Sequence, residues 1–232
     1  MMKVIGMLGG MSWESTASYY AALNEGVKQR LGGLHSAKIV LYSVDFSEIE
    51  TLQHQGDWDA TAELLAEGAQ AIERAGADFL IICTNTMHKV APAIQAAIGI
   101  PIVHIADATA EALRRDGIRR VGLLGTRFTM EQPFYRERLE AHGIDVVVPD
   151  EQARAAIHEV IYSELCLGVI RQGSKQRFLK IMESLRTEGA EAVILGCTEI
   201  GLLVQQTDTD IPLYDTTAIH AERAVTYALE KA

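Results

Sequence analysis

Two short stretches of the chain end an apolar run on residues that can move protons or hold a carboxylate. In "LIICTNTMHKV" (80–90) the run meets Cys83, Thr84, Asn85 and Thr86, and in "AVILGCTEIGLLV" (192–204) it meets Cys197, Thr198 and Glu199. In open parallel sheets, ligands sit beyond the carboxyl ends of the strands. The backbone N–H groups of a following helix suit a carboxylate there, and a thiol at such a helix start is expected to have a lowered pKa. Two proton-handling groups on opposite walls of a cleft suit inversion at a carbon. One removes the α-proton from one face while the other delivers a proton to the opposite face. Fixed donors must meanwhile hold the substrate carboxylate, because charge develops beside it. Thr84, Asn85, Thr86 and Thr198 are candidate donors, and Glu199 is taken with them as a substrate contact.

The segments that must position these residues repeat along the chain. Short apolar runs ("KVIGML", "KIVLYSV", "ADFLIIC", "PIVHI", then "RVGLLG", "VVVP", "EAVILGC", "IPLY") alternate with helical patterns such as "ATAELLAEGAQAIERAG". That alternation is the signature of βαβ units and parallel sheets. "VIGMLGGMSWESTASYY" resembles "RVGLLGTRFTMEQPFYR", with Gly6 matching Gly122, Gly9 matching Gly125 and Tyr19 matching Tyr135. "GADFLIICTNT" matches "GAEAVILGCTE", and "IPIVHIADATAEAL" matches "IPLYDTTAIHAERA". Three matches in one order predict an α/β protein of two similar lobes, each a parallel sheet flanked by helices, related by pseudo-symmetry with the active site between them. The lobes are expected at 1–102 plus 213–232, and at 103–212. Aligning Gly76 with Gly189 pairs Thr84 with Cys197 and Cys83 with Gly196. Thr84, not the adjacent cysteine, is therefore the counterpart of Cys197.

Composition narrows the classes. The chain has 232 residues, 48% hydrophobic, enough to bury a sizeable core. Lys and Arg total 21 against 31 acids, a formal charge of −10, which argues against non-specific binding to nucleic acid or an anionic membrane. Three widely spaced cysteines and no run of ~18 apolar residues predict a cytoplasmic protein with reduced thiols and no membrane span. No G-x-G-x-x-G fingerprint, Walker A motif or zinc-ligand spacing is present. No lysine stands in a context suggesting a pyridoxal Schiff base, so no cofactor is expected. His88, four residues after Thr84, could approach it if the helix starts early and otherwise reads as a surface residue; Glu164 could reach the cleft from the second lobe and otherwise reads as a solvated carboxylate; Cys166 reads as core.

"GMLGGM", "CTNTMH" and "GCTEI" together resemble the aspartate/glutamate racemases, over nearly the whole chain. The resemblance implies a cofactor-independent enzyme of two α/β lobes, with one catalytic residue from each. The chain is similar in particular to a bacterial subgroup of amino-acid racemases carrying "GGMSWEST", "GLHSA", "SVDF" and "CTNTMHKVA". The family usually has cysteine immediately before "NT"; this chain has Thr84 there and Cys83 one residue earlier, in agreement with the internal register. A one-residue shift at a strand end turns the side chain to the other face, so Thr84 is expected in the cleft and Cys83 packed away from it. An alcohol is a far weaker acid than a thiol of reference pKa ~8.5, so the two directions of racemisation need not be equally fast. The resemblance also puts Met11 at the cleft. Aspartate-specific members have an arginine after the second strand, where "SVDFSEIE" has none; Ser47 and Gln53 are the polar residues nearby.

The expected partner is a small-molecule amino-acid substrate, aspartate or glutamate, and the face of "WESTASYYAALN" could serve a homodimer. Two other readings stay open. One is a relative with a single working cysteine, a decarboxylase or maleate-type isomerase. The other is a non-enzymatic binder of small carboxylates.

Overall fold

The structure, a computed structural model, describes residues 2–230. The chain divides into two compact units, Met1–Ile105 with His220–Ala232, and Ala106–Ile219.

The first unit runs β1 (Ile5–Gly9), α1 (Trp13–Leu31), β2 (Ile39–Ser43), α2 (Phe46–Gln55), α3 (Trp58–Arg74), β3 (Phe79–Ile82) and α4 (Ala91–Ala96), and leads into α5 (Ile105–Arg115). Its strands form a parallel sheet in the order β2-β1-β3. Side chains alternate across the sheet, as a strand's period of two requires. Leu8, Leu80 and Ile82 pack with Leu65, Ala69 and Ile72 of α3, while Ile5, Met7, Phe79, Ile81 and Cys83 pack with Tyr19, Leu23 and Val27 of α1. Helix α1 begins on Ser12, whose hydroxyl accepts from the Ser15 N–H at 3.2 Å and so satisfies an otherwise unpaired donor. The turn before it requires Gly10. Its φ is +95°, and a Cβ there would collide with the backbone of Val44.

The second unit continues with β4 (Arg120–Gly125), α6 (Arg127–Glu131), α7 (Pro133–Ala141), β5 (Asp145–Val147), α8 (Glu151–Ser163), α9 (Gln172–Thr187), β6 (Ala192–Gly196), α10 (Ile200–Leu203) and β7 (Leu213–Asp215), and ends in the start of α11 (Thr216–Leu229). Its parallel sheet has the order β5-β4-β6-β7. Phe178, Met182 and Leu185 of α9 and Ile157, Val160 and Ile161 of α8 close over Leu124, Val193 and Leu195. The sequence boundary at 212/213 falls just before β7. Because β7 pairs with β6, the second unit extends to Ile219, and from His220 onward α11 packs Ala221, Ala224, Val225 and Ala228 into the first unit's core.

The repeat extends to individual hydrogen bonds. In the first unit Leu80 N–H donates to Pro101 O at 2.9 Å; in the second, Val193 N–H donates to Pro212 O at 2.8 Å. Gln95 donates from Nε2 to Ile100 O and accepts the Ile102 N–H at Oε1, both at 2.9 Å. Gln206 does the same with Ile211 O and the Leu213 N–H, at 3.0 and 2.9 Å. The strand registers agree too: Leu8 stands opposite Ile82, and Leu124 opposite Leu195. Counting one step further in each unit aligns Cys83 with Gly196, and two steps align Thr84 with Cys197. The fold is the two-sheet α/β architecture expected above.

Candidate active site

The first cluster follows β3. Cys83 N–H makes a ladder bond to Leu8 O at 2.9 Å, and the Cys83 side chain is fully buried among Ile81, Phe79 and Tyr19. Burial pushes its thiol far above the usual range, so it stays protonated and inert. Thr84 is the first residue past the ladder and is only half-buried. Two side chains hold the backbone at this point. The Ser15 hydroxyl donates to Cys83 O at 3.3 Å, and His88 Nδ1–H donates to Thr84 O at 2.7 Å. Asn85 and Thr86, both buried, open a tight 3-10 turn at Thr86–Val90 that leads into α4. Asn85 precedes that turn without a side-chain capping bond.

Of the two readings of His88, the structure keeps the approach to Thr84 and overturns the surface position. His88 is 2% exposed, not a surface residue. Because the 3-10 turn starts immediately after Asn85, residue 88 swings beneath Thr84 and meets its carbonyl. The second ring nitrogen, Nε2, accepts the Ile105 N–H at 3.2 Å. His104 lies edge-on at 4.4 Å between ring centroids and His220 at 5.7 Å. No local signal could have found this group, since the three histidines are far apart in sequence and meet only in the fold. Among the described residues no group of three or more His, Cys, Asp or Glu is placed to hold a metal ion.

His220 is fully buried. Its Nε2–H donates to Val103 O at 2.7 Å and its Nδ1 accepts the Tyr19 hydroxyl at 2.8 Å, which satisfies both nitrogens of a neutral ring. Burial lowers its pKa to about 4, against 6.5 ordinarily. A histidine pKa depressed by folding contributes stability that is present above the unfolded value and is lost as pH falls toward the folded one. We therefore expect the unfolding free energy to drop by about 3 kcal/mol from this group as pH falls from 6.5 to 4. Urea midpoints over that range, read beside an NMR titration of the His220 ring protons, check it. A ring titrating near its ordinary value would contradict the assignment.

The second cluster follows β6. Cys197 is half-buried, one step beyond Gly196, which still pairs with Gly125. Its thiol donates to Glu199 Oε2 at 3.0 Å, and its carbonyl accepts the Ile200 N–H at 3.1 Å. Burial first, and then the Glu199 carboxylate, raise the thiol pKa well above its usual value. This reverses the lowered pKa expected from a helix start. Helix α10 has only four residues and supplies little dipole, whereas a carboxylate stands directly on the sulfur. The Thr198 hydroxyl accepts from Thr217 Oγ1 at 3.0 Å. The neighbouring Thr216 hydroxyl donates to Leu195 O at 2.9 Å, tying the start of α11 to β6. Thr216 and Thr217 escaped the sequence reading, although "YDTTAIH" follows a strand in the same way as the other two clusters.

Of the remaining candidates, Met11 shares its core cluster with the first turn, and Cys166 is close enough to Cys197 to help raise its thiol pKa. Met11 is buried in the core with Leu8, Ile49 and Met87. Gln53 is buried on α2. Glu164, read either as reaching the cleft or as solvated, is buried, accepts from Ser174 Oγ at 2.6 Å and pairs with Arg171 at 3.5 Å. Cys166 packs against the second unit's core. No helix among the described residues is long and apolar enough to cross a membrane.

Comparison with known proteins gives this geometry a family context. The Asp/Glu/hydantoin racemase family model matches residues 8–224. A candidate Asp/Glu racemase from Yersinia pestis superposes with a TM-score of 0.93 at 55% sequence identity, over 99% of this chain and 100% of its own. An aspartate racemase homologue from Pyrococcus horikoshii OT3 superposes with a TM-score of 0.87 at 35% identity, over 99% and 100% of the two chains. The broad specificity amino-acid racemase RacX of Bacillus subtilis (strain 168) is 24% identical over 230 residues, 96% of each chain.

Proposed function

Because the chain belongs to the Asp/Glu/hydantoin racemase family, an isomerase family of amino-acid racemases, we propose that it interconverts the enantiomers of aspartate, glutamate or both without a cofactor. Cys197 and Thr84 are the pair acting on opposite faces of the α-carbon. The observation that supports this most is the shared strand register, by which these two residues occupy the same step past equivalent strands.

The chemistry divides unequally between them. Cys197 is a neutral thiol hydrogen-bonded to Glu199, ready to donate its proton to an α-carbanion. To act in the reverse direction it must first lose that proton, and Glu199 Oε2 at 3.0 Å is positioned to accept it. In each direction the α-proton passes to the group on one face, and the carbanion takes a proton from the group on the other. Backbone N–H groups of the turns after Thr84 and Cys197, with Asn85, Thr86 and Thr198, hold the substrate carboxylate as charge builds beside it. Relatives point to both amino acids: the Pyrococcus horikoshii protein is described as an aspartate racemase homologue, and that of Actinobacillus pleuropneumoniae is named a glutamate racemase.

The test is incubation of the purified protein with L-aspartate or L-glutamate in deuterium oxide, followed by NMR and chiral chromatography. Deuterium at Cα, appearance of the D-enantiomer and retention of both carboxylates are expected. Release of carbon dioxide would instead favour a decarboxylase, and binding without exchange at any pH would favour a carboxylate-binding protein.

A further inference from the structure

The equivalent turns differ in how their backbone is held. In the second unit, Cys197 O accepts a backbone N–H, from Ile200. In the first, the register makes Met87 the counterpart of Ile200, yet Thr84 O is bonded instead by the His88 side chain, and at the shorter distance of 2.7 Å. Thr84 also lies beyond the last ladder bond of β3. Its Cα, and with it the Cβ and hydroxyl, is held between two peptide planes, the Cys83–Thr84 plane fixed by Ser15 and the Thr84–Asn85 plane fixed by His88.

His88 is suited to fix the second plane. The Ile105 N–H pointing at Nε2 requires a bare nitrogen there, so the proton sits on Nδ1, facing Thr84 O. One ring thus ties the end of β3 to the first residue of α5. Among the titratable groups around it are His104 and His220, edge-on to its ring, and Tyr19 behind His220. His220 has both nitrogens engaged by Tyr19 and Val103 O, which leaves its ring as a packing surface for His88.

We propose that His88 is a positioning residue for the Thr84 half of the reaction. It donates to the Thr84 carbonyl from a fixed tautomer and so sets the location of the hydroxyl, without taking the hydroxyl's proton. The inference rests on the racemase reading, in which Thr84 and Cys197 serve opposite faces. It therefore predicts a defect on one face only, which a general loss of packing would not produce.

Two amide substitutions separate the ring's two bonds. His88→Asn places an N–H near the former Nδ1, and His88→Gln places its amide near the former Nε2. His88→Asn should keep racemisation within about threefold of wild type. His88→Gln should lower kcat for racemisation roughly tenfold to a hundredfold, as expected when a reacting group is displaced. It should nonetheless keep the α-proton exchange that Cys197 catalyses on one enantiomer without inversion. Equal losses on both faces, or a silent His88→Gln, would overturn the role. So would ¹⁵N shifts of wild-type His88 that show a proton on Nε2 at neutral pH, a measurement independent of whether either variant folds. A wild type that exchanges no α-proton would defeat the racemase reading itself, which the variants' relative rates cannot do.

Discussion

Replacing Cys197 with serine should leave the fold intact and reduce α-proton exchange by about 10²–10⁴-fold, the usual contribution of a positioned acid or base. The fold should survive because serine is the smaller isostere and the site is half-buried at the end of β6. Its hydroxyl can still donate to Glu199 as the thiol does now. The chemistry should not survive, because an alcohol does not reach its conjugate base in the pH range open to a thiol. The pH profile carries the sign. Burial and Glu199 raise the thiol pKa, so at neutral pH the acid form dominates. The kcat in the direction where Cys197 removes the proton should climb with pH, and the kcat in the direction where it donates should fall only above that raised pKa. Glu199→Gln removes the negative charge that helps hold the proton on sulfur and also the acceptor for that proton, so the rising limb should move to lower pH while the plateau rate in that direction falls. Near-wild-type exchange in a folded Cys197→Ser protein would take Cys197 out of the mechanism.

Both clusters of that mechanism were visible in the sequence for a local reason. An apolar run ending on thiol, hydroxyl and amide groups looks the same in one dimension as in three. The repeat was visible because glycines at tight packing positions, such as Gly6 against Ile72 and Gly122 against Leu185, cannot be exchanged freely. What joins distant segments was not visible. Gln95 and Gln206 perform the same double bond to their "IP" strands, but a single glutamine in a polar stretch carries no pattern. His88 has the sequence setting of an exposed first-turn residue. It is buried because His104 and His220, which flank the two points where the chain passes between units, come to rest on its ring. The raised thiol pKa of Cys197 has no signature in the sequence, where a helix start is legible but its length is not. Four residues of α10 cannot offset a carboxylate 3.0 Å from the sulfur.

The adjacent pair Cys83 and Thr84 gives the second large effect. Cys83 continues the odd-numbered face of β3 into the core beside α1, and its neighbour leaves the ladder half-buried. Cys83→Ala should therefore cost roughly 1–3 kcal/mol of stability through a small cavity and leave turnover nearly unchanged. Thr84→Ala should do the opposite: stability nearly unchanged, racemisation lost, and exchange without inversion retained for the one enantiomer that Cys197 serves. Thr84→Cys should raise kcat, since a thiol near its reference pKa of ~8.5 exchanges protons far more readily than an alcohol. Enantiomers have equal free energies in water, so kcat/KM must be the same in both directions whatever the residue at 84. An unequal pair of groups therefore shows itself as unequal kcat values compensated by KM, and in Thr84→Cys the two kcat values should converge. Initial rates from each enantiomer by circular dichroism, with urea midpoints for each variant, measure all of this. If Cys83→Ala abolishes turnover while Thr84→Ala is silent, the register is displaced by one residue and the buried thiol, despite its raised pKa, is the group that meets the substrate.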